Sequence, residues 1–398
     1  MATPPKRVAV VYHFFAHYRR AVVESLAGDT THAWHFFGDT HDFDSDIKPA
    51  DLSPRVRFHR ARCHRVWKAV MWQSGLVRLA LSPRWSAIVF LGSPKYLSTW
   101  VAAALARVTG KRVLFWTHGW TRTPSGASSM VRNTFYRLAN DLLLYGRWAK
   151  TVAIAQGFDP ARVHVVSNSL DVAAQREALA RIPAGRPAEV RRELFGEDAT
   201  PVISCTTRLT RLRRLDMLFD AVALLRDRGL QANIALVGDG PERASLQAHA
   251  ERLGLRVAFL GACYDEARIG EVLCASNVCV APGMVGLTAM HALAFGVPVV
   301  SHGNPEAQMP EFESIVPGVT GSLFQEGDVR SLADAIAPWI ASPRIEPATS
   351  QACRSMIDRF WNPEFQTRVI LRAVDGEPAD DLFWLRAAPA NERSLAHG

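Results

Sequence analysis

Short apolar runs alternate with amphipathic stretches along nearly the whole chain, and this alternation predicts its elements. The first run covers 8–14 and is followed by a helical stretch from about 18 to 27. Runs at 34–37 and 57–59 predict a second strand and a short third. Over 66–81, Trp67, Val70, Met71 and Ser74 recur at helical spacing and predict a helix. The pattern then reads strand 87–91, helix 98–108 ended by Gly110, strand 112–116, helix 130–139, strand 142–145, helix 149–156 and strand 163–166. Residues 181–191, RIPAGRPAEVR, are rich in Pro and Arg and predict a linker. A second alternating series starts at Pro201. Its strands fall at 202–205, 234–237, 257–260, 278–281, 297–301 and 322–324, and its helices at 216–228, 241–252, 267–274, 288–295 and 329–340. A helix around 351–359 and a further helical stretch after Phe365 follow, and the pattern from Glu377 onward assigns no element.

Strands alternating with helices predict parallel sheets covered on both faces, hence an α/β protein of two doubly wound, Rossmann-like domains. The expected division is 1–185, 186–345 and a C-terminal helical segment, 346–398, packing back on the first domain. Doubly wound sheets bind ligands at the carboxyl ends of their strands, so two such domains facing each other would share a central cleft.

Composition changes this picture in one respect. The net charge is +8, but no Asp or Glu occurs between Leu52 and Asn140, a span that holds 15 Lys and Arg. A positive field of this kind suits an anionic membrane surface, an anionic acceptor or nucleic acid. Trp67, Lys68, Trp72, Arg78 and Trp85 interleave aromatic and basic residues in it, as a peripheral membrane face would; tryptophans packed in a core beside solvated cations is the alternative. The six cysteines form neither C-x-x-C nor a zinc-like cluster and read as reduced thiols, with no metal site expected. No apolar run reaches the roughly 18 residues of a membrane span, and the N-terminus runs directly into a strand, so the expected location is cytoplasmic, at most peripheral to the inner membrane face.

The stretch 281–324 carries the most chemistry. A strand ends at Pro282 and Gly283, Gly286 follows, and an apolar helix begins at Thr288. A glycine loop entering a helix offers unpaired N–H groups and the positive end of a dipole to an anion. Thr288 also suits a helix cap. Arg208 and Arg213, just past an earlier strand, can clamp a diphosphate; a solvated basic turn is the alternative. Gly238, Gly240 and Pro241 predict a tight turn, with Glu242 in the first turn of the next helix.

TTRLTRLRRLDMLFDAVALL, VGDGPERASLQ, FLGACYDEARIGEVLCASNVCVAPG, GLTAMHALAFGVPVV and MPEFESIVPGVTGSLF together resemble the donor-binding half of GT-B glycosyltransferases, in particular the retaining family 4 type. FWTHGW and DLLLYGRWAK…GFDPARVHVVSNSLD resemble a bacterial branch of it concerned with polysaccharide and glycan synthesis. The resemblance implies a metal-independent glycosyltransferase that moves a sugar from a nucleotide-diphosphate sugar, UDP- or GDP-linked, to a glycan, lipid-linked or small-molecule acceptor, without a separate cofactor. Arg208 and Arg213 would stabilise the leaving diphosphate together with backbone of Gly283, Met284, Val285, Gly286, Leu287 and Thr288. Gly238 belongs to the donor site, and Gly261, Ala262, Cys263 and Tyr264 stand where the base is read. The family pairs two glutamates seven residues apart; here Gly283 and His291 occupy those positions. Glu306 or Glu311 is the remaining acid for the sugar, and His118 stands where a histidine approaches it. His17, Tyr18, Arg19 and Trp120 are acceptor-side candidates. A nucleotide-sugar epimerase or hydrolase of the same fold and a nucleic-acid-binding module on the basic span are the rival readings; nucleic acid is not the expected partner.

Overall fold

A computed structural model describes residues 5–42, 47–197 and 199–380. The chain divides into two compact units: residues 1–171 with 362–398, and Val172–Trp361.

The first unit contains β1 (Lys6–Phe14), α1 (Arg20–Ala27), β2 (His32–Asp39), β3 (Phe58–Arg60), β4 (Cys63–Trp67), β5 (Val70–Gln73), α2 (Leu76–Leu81), β6 (Ala87–Leu91), α3 (Leu97–Val108), β7 (Arg112–Thr117), α4 (Gly126–Tyr136), β8 (Asp141–Leu144), α5 (Arg147–Ala155) and β9 (Val163–Val165). Seven strands form one sheet in the order β3-β2-β1-β6-β7-β8-β9, and its pairings are parallel, with Val8 opposite Trp34 on one side and Ala87 on the other. The chain reverses its direction of sheet growth between β1 and β6. A crevice opens at such a switch point, at the carboxyl ends of the strands. Val8 to Val11 and Ile88 to Phe90 are buried, as strands covered on both faces require.

The second unit contains α6 (Val172–Ala180), α7 (Arg186–Phe195), β10 (Val202–Thr206), α8 (Leu215–Asp227), β11 (Asn233–Val237), α9 (Arg243–Leu253), β12 (Val257–Phe259), α10 (Glu266–Cys274), β13 (Val278–Ala281), α11 (Thr288–Ala294), β14 (Val299–His302), β15 (Gly321–Phe324), α12 (Val329–Ile340) and α13 (Pro347–Phe360). Its sheet order is β12-β11-β10-β13-β14-β15, again with parallel pairings. The switch point lies between β10 and β13, where Ile203 faces Val278. A last helix, α14 (Pro363–Asp375), belongs to the first unit, where Ile370, Ala373 and Val374 join Val8, Val10, Val22 and Leu26 in one core cluster.

The structure corrects three expectations. Residues 66–81 are not one helix but the antiparallel hairpin β4–β5 followed by the short α2. The 3-4 spacing of Trp67, Val70 and Met71 imitates a helix, but β-branched and aromatic residues favour the strand. Gln73 then anchors the hairpin, its Nε2 donating to the carbonyls of Tyr12 and Ala61. The tryptophans therefore do not share a helical face: Trp67 is exposed at the tip, whereas Trp85 packs against His35 and Phe37.

The expected linker is also mostly helix. Pro187 sits in the first turn of α7, and Gly196 caps its end in a left-handed conformation. Buried Arg191 donates to the Ala275 carbonyl, the Pro343 carbonyl and Asn277 Oδ1. An arginine of the expected linker is thus a tie inside the second unit. Finally, the C-terminal segment does not travel as one body. Helix α13 packs on α11 in the second unit and α14 on α1 in the first. The tail beyond residue 380 lies outside the described residues.

Candidate active site

In the second unit, the loops after β10, β11, β12 and β13 are laced together at the switch point. Thr207 N donates to Val237 O, Leu209 N to Asp239 O, and Gly238 N to Gly261 O at 2.7 Å. Gly238 has φ 146°, and a Cβ there would lie 1.8 Å from Thr207 O. Only glycine lets the two loops approach so closely. Glu242 precedes α9 without a side-chain capping bond; its carboxylate lies 3.3 Å from Ser245 Oγ and 3.5 Å from the exposed Arg211.

Arg208 is exposed and makes no side-chain hydrogen bond or ion pair among the described residues. Arg213 is half-buried, and its Nη1 donates to the Met284 carbonyl at 2.6 Å. Its own carbonyl accepts from Gly283 N at 3.2 Å. The arginine turn and the glycine loop are therefore one unit. Ser301 Oγ donates to Ala281 O and Gly283 O, while Gln308 accepts from Val285 N and donates to Ser301 Oγ and His302 O. Gln308 went unread in the sequence because a lone glutamine in a loop has no periodicity or motif to mark it. Between these anchors, the N–H groups of Gly286, Leu287 and Thr288 make no hydrogen bond among the described residues. Gly286 turns the chain at φ 49°. Thr288 does not cap α11; Leu287 holds the cap position, and Thr288 Oγ1 donates instead to Thr206 O at 2.7 Å.

His291 projects from α11 toward α10 and α6. Its Nδ1 lies 3.2 Å from Gln175 Nε2 and 3.2 Å from Glu266 Oε1. That nitrogen can accept from the amide or donate to the carboxylate, one at a time. Burial favours the neutral acid at Glu266, but the neighbouring His291 and Gln175 outweigh it and hold the carboxyl below its usual range. Neither Glu266 nor Gln175 was a sequence candidate, because each lies on a helix remote in sequence from His291. Ala262 and Tyr264 are exposed and Cys263 half-buried in the loop after β12. Glu311 is 2% exposed, within the short helical turn Pro310–Ser314.

In the first unit, His118 and Arg19 meet at the carboxyl ends of β7 and β1. The His118 ring lies 4.7 Å from that of Tyr145. The residue is exposed at the surface, yet the protein around it and the nearby Arg19 charge lower its pKa from the ordinary value. His17 is exposed and Tyr18 half-buried beside Arg19. Trp120 is a correction: it is 1% exposed, donates to Asn133 Oδ1 at 3.0 Å and packs on Tyr136 and Phe158, so it is a core side chain and presents nothing to an acceptor. A groove of about 630 Å³ lies elsewhere, beside the hairpin, lined by Trp72, Leu76, Arg78 and Leu81 among others, with no candidate chemistry in it. Among the described residues, no group of three or more His, Cys, Asp or Glu is arranged to hold a metal.

The family described as glycosyl transferases group 1 matches residues 200–342, the segment that builds this site. A GDP-mannose-dependent alpha-(1-6)-phosphatidylinositol monomannoside mannosyltransferase of Mycolicibacterium smegmatis is 28% identical over 286 residues, 66% of this chain and 70% of that one. The chain is a glycosyltransferase with the GT-B fold. Two solved structures share its architecture. The lipopolysaccharide outer core galactosyltransferase WaaB, in its apo form, superposes with a TM-score of 0.67 at 14% identity, over 93% of this chain and 99% of that one. Anabaena HepE in complex with UDP does so with a TM-score of 0.67 at 16% identity and the same coverage. The glycosyltransferase takes its sugar from a nucleotide-sugar donor. Gly283 and His291 belong to the second unit's site, and Gly283 is buried there against the turn that carries Arg213.

Proposed function

We propose that this glycosyltransferase works with retention of anomeric configuration and takes GDP-mannose as its donor. The observation that carries the site assignment is the switch point of the second unit. There Arg208, exposed and unpaired among the described residues, and a loop-tied Arg213 flank a glycine loop whose N–H groups have no partner among those residues. Such a set of preformed donors suits a diphosphate whose charge grows as the sugar departs. The oxocarbenium-like sugar would be attacked from the face the diphosphate leaves, with a phosphate oxygen taking the acceptor proton. No side-chain nucleophile is required, consistent with the burial of Glu311. His291, steadied through Nδ1, keeps Nε2 for a ribose hydroxyl. The guanine and mannose assignment is supported by the Mycolicibacterium smegmatis relative, whose acceptor is a phosphatidylinositol mannoside; a lipid-linked glycan acceptor follows for this chain by the same likeness.

A melting-temperature panel of GDP, UDP, dTDP and ADP with their sugars tests the donor. GDP-mannose at about 100 times its Kd is expected to stabilise the fold by about 2.7 kcal/mol. Stabilisation by none of them would remove the donor site, and stabilisation by UDP-sugars alone would overturn the choice of base.

The same reading places the enzyme at an anionic membrane surface, where a lipid-linked acceptor is found. At the hairpin tip Val66 is 60% and Trp67 66% exposed, and Lys68 Nζ lies 4.8 Å from the centre of the Trp67 ring. An exposed indole beside cations suits a lipid headgroup layer. Among the described residues no helix is long and apolar enough to cross a membrane. Co-sedimentation with phosphatidylglycerol vesicles at low salt is expected for the wild type and reduced by Trp67→Ala. Equal recovery with neutral phosphatidylcholine vesicles would overturn the electrostatic part of this placement.

A further inference from the structure

The first strand-to-helix turn of unit one holds a cation in an unusual setting. Arg19 stands at the start of α1, at the switch point where β1 gives way to the helix. The turn is fixed by His17 N donating to Lys48 O and Ala50 N to Phe15 O. The Arg19 Cζ lies 4.4 Å from the ring centre of Tyr12, 5.2 Å from Trp116 and 5.6 Å from Tyr145. Its Nη2 donates to the Tyr145 hydroxyl, which is itself 3.0 Å from the Tyr12 hydroxyl. These aromatic side chains are buried. Among the described residues no carboxylate forms an ion pair with Arg19.

Arg19 is half-buried, and a guanidinium partly withdrawn from water is ordinarily matched by an acid. Here the ring faces compensate in part, and the phenols add neutral acceptors. The positive charge remains unmatched. None of the arginine nitrogens is among the buried atoms without a hydrogen-bond partner, so the N–H groups the phenols leave over reach solvent. Two histidines flank the cation and add no charge: burial and Arg19 together lower the pKa of His118, and burial and Arg19 lower that of His13 despite Asp42. The Nδ1 of His13 is buried without a hydrogen-bond partner. The result is a rigid, planar fork of donors, backed by rings and open on one edge, at the carboxyl end of a parallel sheet. That geometry matches a tetrahedral oxyanion better than a neutral sugar.

We propose that the Arg19 cage is a preformed oxyanion site that receives a phosphate group carried by the acceptor. That the phosphate belongs to an acceptor rests on the glycosyltransferase reading; that Arg19 takes an oxyanion does not. The experiment uses the full chain as wild type, Arg19→Gln and Arg19→Lys, in chloride buffers of matched ionic strength. Binding of inorganic phosphate, glycerol 3-phosphate and GDP is measured by calorimetry, with melting curves to check folding. Phosphate and glycerol 3-phosphate are expected to compete for one site on the wild type. Their affinity should fall about tenfold or more in Arg19→Gln and less in Arg19→Lys, which keeps the charge and loses the fork. GDP should bind all three proteins alike. Equal phosphate affinity in wild type and Arg19→Gln, or no phosphate binding to the wild type, would overturn the site. Loss of GDP affinity together with phosphate would reassign Arg19 to the donor and overturn the acceptor part. If Arg19→Gln does not fold, the wild type and Arg19→Lys still decide. A wild type that binds phosphate but no nucleotide would sink the donor reading and leave this site standing.

Discussion

Arg208→Ala is expected to lower kcat/KM for sugar transfer by about a thousandfold, the upper end of what one preorganised donor contributes to a developing anion. The fold should not notice. The side chain is exposed and makes no hydrogen bond or ion pair among the described residues, so stability should stay within about 0.5 kcal/mol. Initial rates with GDP-mannose and a lipid-linked acceptor, run beside a thermal melt, separate the two. Arg208→Lys should recover part of the loss, since the charge returns without the bidentate fork. Activity close to wild type in Arg208→Ala would remove this residue from the chemistry.

The second large effect is counter-intuitive. Gly283→Glu, which offers the glycine loop a new carboxylate, is expected to abolish most activity. A Cβ on Gly283 would lie 2.1 Å from Leu212 O and 3.1 Å from Arg213 Cα. Both are backbone atoms, so the turn itself must move, carrying Arg213 and its bond to Met284 with it. A displacement of about 1 Å in such a clamp costs on the order of a hundredfold in rate. Overpacking should also cost about 1–3 kcal/mol of stability. Gly283→Ala isolates the cause, because the clash arises at Cβ; it should show most of both effects. A Gly283→Ala enzyme with wild-type rate and melting temperature would mean that the 211–213 turn is free to yield.

The second unit was legible because its signals are local. Glycines before helix starts and β-branched runs each declare an element without reference to the rest of the chain. Residues 66–81 misled because four positions at helical spacing fit either a helix or a hairpin, and what decided was Gln73 reaching two carbonyls outside the segment. Arg191 failed in the same way: a residue of a Pro- and Arg-rich stretch reads as linker until three acceptors, all more than 80 residues away, surround it. At the site, the phosphate end followed from glycine spacing. The side chains that hold it, Gln308 on the loop and Glu266 and Gln175 on His291, are tertiary partners and carry no signal in the pattern. Trp120 and Glu311 were motif neighbours whose burial only the fold reveals.

The return of α14 to the first unit bears on how the protein is made. Synthesis delivers β1 to β9 first, yet the core around Val8, Val10 and Leu26 lacks Ile370, Ala373 and Val374 until the last helix emerges. At about 5–20 residues per second, the stretch that separates them takes on the order of ten to forty seconds to translate. The second unit, contiguous from Val172 to Trp361, is complete on the ribosome before the first can close. A nascent first sheet must therefore keep an apolar face covered by something else for that interval, and a chain that stops before Pro363 would leave the face bare for good.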